Sequence, residues 1–283
     1  MISGHGKTIH ICGANGHMAT QLVAALGETF PVECYSQNSF AINARHFLPL
    51  AELPARVSPG DRVVFFSYSA RNADAIFLSN LLRKLAKFDV CIVYISSMAI
   101  YSEYRSTYAE LKLEQERIVR SFKNWKIVRP GFVFGRNFGG LNEIFEKLAR
   151  SRILFLPSQD ARTYFIKLNV LTRKLKRIAL EGDCENYEAD LFEVNLNIHQ
   201  ALRLYGYTGF VLSLPSIRYR LLFFLFQKLK PVTPHLVQSL LSLNFMPHDF
   251  PNRDGGYRYL RRFILVDYAS FFRKDDLWQL RRY

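Results

Sequence analysis

Five short segments, apolar along most of their length and separated by stretches with helical spacing, restrict this chain to an architecture built on a parallel sheet. They are Thr8 to Cys12, Val32 to Tyr35, Arg62 to Ser67, Val90 to Ser96 and Lys126 to Val128. The first stops at Gly13. From His17 onward Met18, Leu22, Val23 and Leu26 recur at helical spacing, and Ala75 to Lys87 and Thr107 to Phe122 carry helical patterns between the later segments. Strands that are apolar on both faces must be covered on both, and helices crossing over between successive strands achieve this. Up to about Gly135 the pattern predicts a doubly wound α/β domain.

After Gly135 the rhythm changes. A loop from Arg136 to Gly140 leads into a helix from Leu141 to Ala149. Strand-like pieces follow at Ile153 to Leu156 and Arg162 to Leu168, then a helix ending near Leu180. An acidic turn, Glu181 to Asp190, precedes a basic final part. The expected organisation is a dinucleotide-binding domain over residues 1–135 and a smaller, interlocked carboxy-terminal substrate lobe over residues 136–283.

With 283 residues, 49% hydrophobic and 14% aromatic content, the chain can bury a substantial core, which excludes a disordered protein. Cys12, Cys34, Cys91 and Cys184 form no C-x-x-C pair, and three of them lie in strand-like contexts where cysteine packs as a small hydrophobe. A polar start, Met1 to Lys7, and the lack of an apolar run near the roughly 20 residues that span a bilayer predict a cytoplasmic protein, at most peripheral to a membrane. The net charge is +14, and 13 Lys/Arg against 5 Asp/Glu from Ala201 onward hold more than half of the excess. Such an excess fits a phosphorylated substrate, an anionic membrane surface or nucleic acid, or simply a solvated arginine-rich surface.

Gly13-Ala14-Asn15-Gly16-His17-Met18-Ala19 links the first predicted strand to the first helix. In that context Gly13 permits a tight turn, Gly16 lets the backbone approach a pyrophosphate at the helix amino terminus, and Ala19 allows close packing on the sheet. Gly4-His5-Gly6-Lys7-Thr8 ends like a phosphate loop, but lacks the earlier glycine and the preceding strand. A second signal is Tyr108-Ala109-Glu110-Leu111-Lys112, which puts a phenol and an ammonium on one helical face. An ammonium beside a phenol favours the phenolate and makes the tyrosine usable as a general acid or base. The preceding strand ends in Ile95-Ser96-Ser97, so a serine hydroxyl is expected at the carboxyl edge of the sheet, where ligands bind in such folds.

Together with Ile95-Ser96-Ser97-Met98-Ala99-Ile100-Tyr101, Glu114 and Val128-Arg129-Pro130-Gly131-Phe132-Val133-Phe134-Gly135, these residues resemble the short-chain dehydrogenase/reductase superfamily, in its extended branch acting on nucleotide sugars. The resemblance covers residues 8 to 135 well and the rest thinly. It implies a Rossmann-type fold and a nicotinamide cofactor. Ser97 would polarise the substrate oxygen, Tyr108 would transfer its proton, and Lys112 would tune Tyr108 and hold the nicotinamide ribose. It further implies a cofactor site drawn from Gly13, Asn15, Gly16, His17, Met18, Ser36, Gln37, Ser67, Tyr108, Lys112, Pro130 and Val133. Ser97, Met98 and Arg162 would face the nucleotide sugar, and no metal is implied. Arg162-Thr163-Tyr164-Phe165-Ile166-Lys167-Leu168-Asn169 looks like the segment whose arginine binds the nucleotide diphosphate.

Departures from the branch also carry information. Only eleven positions separate Ser97 from Tyr108, fewer than in sugar epimerases of the branch, and Met98-Ala99 stand where its 4,6-dehydratases carry Asp-Glu. The first predicts a missing substrate-covering loop and the second excludes that dehydratase chemistry. At the end of the second strand an NAD enzyme carries a carboxylate for the ribose 2′-hydroxyl. Ser36-Gln37 supply none, Glu33 comes too early and Arg45 is in reach of a phosphate, so NADP(H) is favoured over NAD(H).

Two features of the final part stand apart. Ile217 to Lys230 is apolar in the middle and basic at both ends, which suits a membrane interface or a packed helix of the substrate lobe. Tyr257 to Arg262 interleaves aromatics with arginine, but no recognised nucleic-acid module accompanies it, so nucleic acid is not expected. The expectation is a reductase or epimerase of a nucleotide-activated sugar in polysaccharide biosynthesis, acting as a homodimer. The alternative is a non-catalytic NADP(H)-binding sensor or structural subunit, associated with a membrane.

Overall fold

A computed structural model describes residues 7–37, 40–42, 45–66, 72–102, 105–134, 141–157, 162–181 and 185–214. Ser67, the loop 136–140, Cys184, the stretches 217–230 and 257–262, and the side chains of Arg45 and Arg162 lie outside the described residues.

The elements, in chain order, are β1 (Ile9–Cys12), α1 (His17–Leu26), β2 (Val32–Ser36), β3 (Phe40–Ile42), β4 (Arg45–Pro49), α2 (Leu53–Arg56), β5 (Arg62–Phe65), α3 (Asn72–Leu85), β6 (Cys91–Ile95), α4 (Thr107–Val119) and β7 (Asn124–Pro130). There follow β8 (Phe132–Phe134), α5 (Leu141–Ala149), β9 (Ile153–Pro157), β10 (Arg162–Lys167), α6 (Leu168–Leu180), β11 (Tyr187–Leu191), β12 (Val194–Asn197), α7 (Ile198–Leu204) and β13 (Phe210–Leu214). The chain divides into two units that interleave along the sequence. One holds residues 1–97, 111–130 and 168–190; the other holds 98–110, 131–167 and 191–283. A single boundary at residue 135 is therefore replaced by repeated crossings: α6 returns to the first unit, and Met98 to Glu110 leave it.

The first unit is built on the sheet ordered β11-β7-β6-β5-β1-β2-β4-β3. Parallel pairing runs from β4 through β2, β1, β5 and β6 to β7. Register aligns Cys12, Phe65, Tyr94 and Ile127 as one row across the sheet. That row is buried with Leu78, Leu81, Leu82 and Leu85 of α3 and Val119 of α4. Side chains alternate between faces along a strand, so the neighbouring row, Ile11, Val64, Val93 and Lys126, points the other way. There α1 packs against α6, and Lys126 donates to the carbonyl of Ile178 and to Glu181. Both faces are covered, as the continuous apolar strands require.

One connection differs from a repeated strand-helix rhythm. β2 is followed by the antiparallel pair β3 and β4, with Ala41 opposite His46, and β4 then runs parallel to β2 with Pro49 beside Ser36. A hairpin return thus replaces a crossover helix. Arg45 begins β4, so it lies at the opposite end of the strand from Ser36, about 13 Å away along the backbone.

The second unit contains the sheet β12-β10-β8 and the parallel pair β13 and β9. Its core gathers Phe145, Phe165, Leu196, Ile198 and Leu202, with Phe132 edge-on to both Phe145 and Phe165. Asn197 caps α7 by accepting from the Gln200 amide while the Gln200 side chain accepts from its own.

Candidate active site

The turn after β1 has the geometry that its glycines suggest. Gly13 has φ +77, a conformation that glycine adopts without strain, and its amide and that of Ala14 donate to the carbonyl of Tyr35 at the end of β2. Gly16 is the N-cap of α1. It supplies no side-chain cap, and the first turn of the helix holds no acidic residue, while Asn15, Gly16 and His17 are exposed. A Cβ on Gly16 would meet the carbonyl oxygen of Gly13 at 3.2 Å. Ala14 and Ala19 are buried against the sheet. An exposed helix amino terminus with no carboxylate of its own fits the pyrophosphate of a dinucleotide.

Ser36, which ends β2, is buried, and Gln37 after it is exposed. The Gln37 side-chain amide donates to Asp74 Oδ1 at 2.6 Å, so the first turn of α3 brings a carboxylate to the end of β2 that the sequence of β2 itself lacks. The sequence of β2 alone does not show this residue, because the carboxylate arrives from an element 37 positions later. Glu33 faces elsewhere, hydrogen-bonded by Tyr35 and placed beside His10 and Arg56.

β6 ends at Ile95. The amide of Ser96 donates to Val128 of β7 at 2.7 Å, and its buried hydroxyl has no hydrogen-bond partner among the described residues. Ser97 is the half-buried member of the pair. Lys112 is 2% exposed; its Nζ donates to the carbonyl of Ile95 at 2.7 Å and stands 4.9 Å from the centre of the Tyr94 ring. The Tyr94 hydroxyl in turn donates to Gln115 at 2.7 Å. Burial pushes the Lys112 ammonium down to about 7, against the opposing attraction of the Glu116 carboxylate. Tyr108 lies one turn before Lys112 on α4 and is half-buried. The helix crosses the division between the units, Tyr108 belonging to the second and Ser97 and Lys112 to the first.

Glu116, one turn beyond Lys112, is fully buried, and its spacing from Tyr108 and Lys112 places all three on one helical stripe, a signal legible in the sequence. Arg129 donates to both of its oxygens at 2.7 and 2.6 Å, and Arg120 adds a contact at 3.0 Å. Both arginines also reach Glu188 of β11, at 2.7 Å from Arg129 and 2.6 Å from Arg120. Glu114 lies on the exposed side and pairs with Arg83 at 3.7 Å.

The Arg-Pro-Gly segment is thus engaged in packing. Arg129 is held by this network, Pro130 is the buried end of β7, and a Cβ on Gly131 would meet the carbonyl oxygen of Tyr164 at 2.4 Å. Val133 is buried in β8, opposite Ile166. Met98 is 2% exposed and packs against Tyr164, Tyr101 and Phe192. The backbone of Arg162 opens β10, paired with Asn197. Among the described residues no group of three His, Cys, Asp or Glu is placed to hold a metal ion, and no helix is long and apolar enough to cross a membrane.

No protein-family profile and no curated protein matches the sequence. Solved structures do match the fold. A dTDP-4-dehydrorhamnose reductase from Bacillus anthracis, in complex with NADP, superposes with a TM-score of 0.56 at 14% identity, covering 75% of this chain and 86% of its own. The chain shares its fold. A UDP-N-acetylglucosamine 4-epimerase from Methanobrevibacter ruminantium, in complex with UDP-N-acetylmuramic acid, gives 0.58 at 15% identity over 74% of this chain and 86% of that one. An NAD-dependent NDP-hexosamine 5,6-dehydratase gives 0.54 at 15% identity over 74% and 85%. One fold therefore carries reduction, epimerisation and dehydration among these neighbours, and the chemistry of this chain has to be argued from its residues.

Proposed function

We propose that this protein is a nicotinamide-dependent reductase or epimerase of a nucleotide-activated sugar. The observation that carries the reading is the placement of Lys112: a buried ammonium bonded to the last residue of β6, two positions before Ser97, on the helix that carries Tyr108 one turn earlier. The turn at Gly13 and the uncapped start of α1 would hold the pyrophosphate, with Asn15, His17 and Met18 around it and Ser36 and Gln37 toward the adenosine ribose. Ser67, Pro130 and Val133 would complete the cofactor site. When bound, the nicotinamide supplies or accepts the hydride.

In the reducing direction the Ser97 hydroxyl donates to the substrate carbonyl and polarises it. Tyr108 gives its phenolic proton to the oxygen as hydride adds to the carbon, so the carbonyl becomes an alcohol and the phenol a phenolate. Lys112 stabilises that phenolate and donates to the ribose. Arg162 would meet the nucleotide diphosphate. Met98-Ala99 leave the site without the carboxylates that 4,6-dehydration requires, which favours reduction or epimerisation. In this reading the protein is a cytoplasmic homodimer of polysaccharide biosynthesis that takes NADP(H) in preference to NAD(H).

Tyr108→Phe tests it. Loss of the phenolic proton should lower turnover of a 4-keto nucleotide sugar, or of its reduced partner, by about 10²–10⁴-fold while cofactor affinity barely changes. Wild-type turnover that survives Tyr108→Phe refutes the proposed chemistry. A wild type that binds cofactor yet turns over no member of a broad nucleotide-sugar panel is a sensor instead.

A further inference from the structure

Beneath the turn at Gly13, β1, β2 and the start of β5 enclose a chain of four ionisable side chains. His10 of β1 is 1% exposed. Its Nε2 lies 3.0 Å from Asp61 Oδ2, and its Nδ1 lies 3.2 Å from the hydroxyl oxygen of Tyr35, a fully buried residue of β2. The Tyr35 hydroxyl donates to Glu33 Oε2, and the same carboxylate oxygen stands 3.5 Å from His10 Nδ1. Asp61 is anchored in turn by the amides of Thr8 at 2.9 Å and Ser58 at 2.8 Å. Around these four, among the described residues, Arg56 of α2 stands 3.9 Å from Glu33 and pairs with Glu52 at 3.3 Å, and Cys12 follows two positions along the same face of β1. Lys7 lies beside Gly60, and Arg62 is turned away to the carbonyls of Ala179 and Glu181.

Hydrogen-bond accounting fixes the protons on this chain. Burial works to raise the Asp61 carboxyl, but the bonds from His10, Ser58 and Thr8 outweigh it and hold the group below the usual carboxylate range. An ionised carboxylate only accepts, so Nε2 carries a hydrogen toward Asp61. Tyr35 has one hydroxyl hydrogen and gives it to Glu33; toward His10 its oxygen can therefore only accept, and Nδ1 must carry a hydrogen as well. A ring with hydrogens on both nitrogens is an imidazolium, and two carboxylates flank it with the counter-charge that a buried cation needs. Burial and the Glu33 carboxylate push the Tyr35 phenol up, and burial does the same to the Cys12 thiol, so both stay protonated.

Tyr35 joins this chain to the turn after β1, because its carbonyl accepts from the amides of Gly13 at 2.8 Å and Ala14 at 3.0 Å. We propose that Asp61, a doubly protonated His10, Tyr35 and Glu33 form a proton-dependent latch that positions the Gly13 turn for the pyrophosphate of a dinucleotide, which rests on the reading of that turn as the pyrophosphate site. When the ring loses one proton, the Tyr35 hydroxyl can serve Nδ1 or Glu33 but not both. One of the three links is then lost, and Tyr35 is held less tightly. The closed latch holds the extra proton, so it is favoured at low pH and opens as pH rises. A dinucleotide that needs the held turn binds more weakly once the latch has opened.

NMR of protein labelled with ¹⁵N-histidine reads the ring directly, with His10 assigned through its contacts to the Tyr35 ring, whose centre lies 5.8 Å away. At neutral pH both ring nitrogens should carry hydrogens. The Gly13 and Ala14 amides read the turn. As pH is raised until the ring loses a proton, their hydrogen-exchange protection factors should fall about fivefold, the worth of one ordinary hydrogen bond, and ADP should bind more weakly by a similar factor. ADP offers the pyrophosphate without a nicotinamide ribose for Lys112. In Tyr35→Phe, which keeps the carbonyl and loses the hydroxyl, protection and affinity should stay level across the same pH step. The ionisation of ADP itself is common to both proteins and cancels in the comparison.

A bare ring nitrogen in the wild type at neutral pH overturns the latch. So does a pH course of protection that is the same in the wild type and in Tyr35→Phe, which is what a merely structural tyrosine would give. If Tyr35→Phe does not fold, Glu33→Gln decides. Without that carboxylate the ring should give up its second proton at lower pH and the step in protection should move with it; a step that stays in place overturns the latch. Protection that follows the ring proton in a protein that binds no ADP leaves the latch standing and removes the pyrophosphate reading of the turn. ADP binding with protection that ignores the ring proton does the reverse.

Discussion

In the proposed cofactor site, the preference between NADP(H) and NAD(H) would turn on two side chains that meet only in three dimensions. Ser36 and Gln37 carry no charge, which suits a 2′-phosphate, yet the Gln37 amide is bonded to Asp74 at 2.6 Å. A carboxylate there repels a phosphate and can accept from a 2′-hydroxyl through Gln37 or in its place. Asp74→Asn is therefore expected to shift the ratio of NADP(H) to NAD(H) affinity upward by about tenfold, the size of one charge-assisted contact. Calorimetry with both cofactors reads the ratio, and an unchanged value would take Asp74 out of the recognition site. Gly131 is a second single-atom constraint. Its missing Cβ makes room for the Tyr164 carbonyl, so Gly131→Ala should destabilise the fold by about 1–3 kcal/mol in urea unfolding, through displacement of backbone.

Elements with a strong, local period were legible from the sequence, and those made by pairing were not. β1, β2, β5, β6 and β7 appear close to their expected places, because strands buried on both faces read as continuous apolar runs. The helices α1, α3 and α4 were equally plain. β3 and β4 were missed: Phe40 to Pro49 mixes polar and apolar residues, and a hairpin of edge strands is fixed by mutual pairing instead of by composition. At the site, Ser97, Tyr108 and Lys112 could be singled out because their spacing is local. Asp74 and the Arg129–Glu116 clamp could not, since each joins elements distant in sequence. An element-scale test bears on α1. Gly16→Asp gives the helix an acidic N-cap, worth only about a few tenths of a kcal/mol over glycine and set against the tight approach to the Gly13 carbonyl. Melting temperature should stay within about 5 °C, while dinucleotide affinity falls more than tenfold because a fixed carboxylate occupies the expected anion site. If affinity holds, the pyrophosphate does not bind at this helix.

Taken as a whole, the described chain holds ionisable groups whose burial makes stability depend on pH in opposite directions. Burial alone would raise the carboxyl groups of Asp61 and Glu188. Asp61 is held below its usual range by hydrogen bonds from His10, Ser58 and Thr8, and Glu188 by Arg129 and Arg120. A carboxyl lowered in the folded state adds stability above its unfolded pKa, about 4, and loses it as pH falls through the folded value, so acid should unfold the protein. Burial raises Cys12, Tyr35 and Tyr205, which remain protonated when folded and ionise in the unfolded chain above about pH 9, so alkali should also destabilise. Lys112 acts between these limits, with the sign of the carboxyl groups and against that of the cysteine and tyrosines. Its folded value, about 7, lies below the usual lysine value of about 10.4, so between them the unfolded chain binds more protons and stability rises with pH. Comparing urea unfolding of the wild type and Lys112→Met cancels the groups they share. From pH 7 to pH 9 the wild type should gain about 2 kcal/mol relative to the variant. Parallel curves across that range would mean that Lys112 is not a buried ammonium, and with it would go the electrostatic basis for tuning Tyr108.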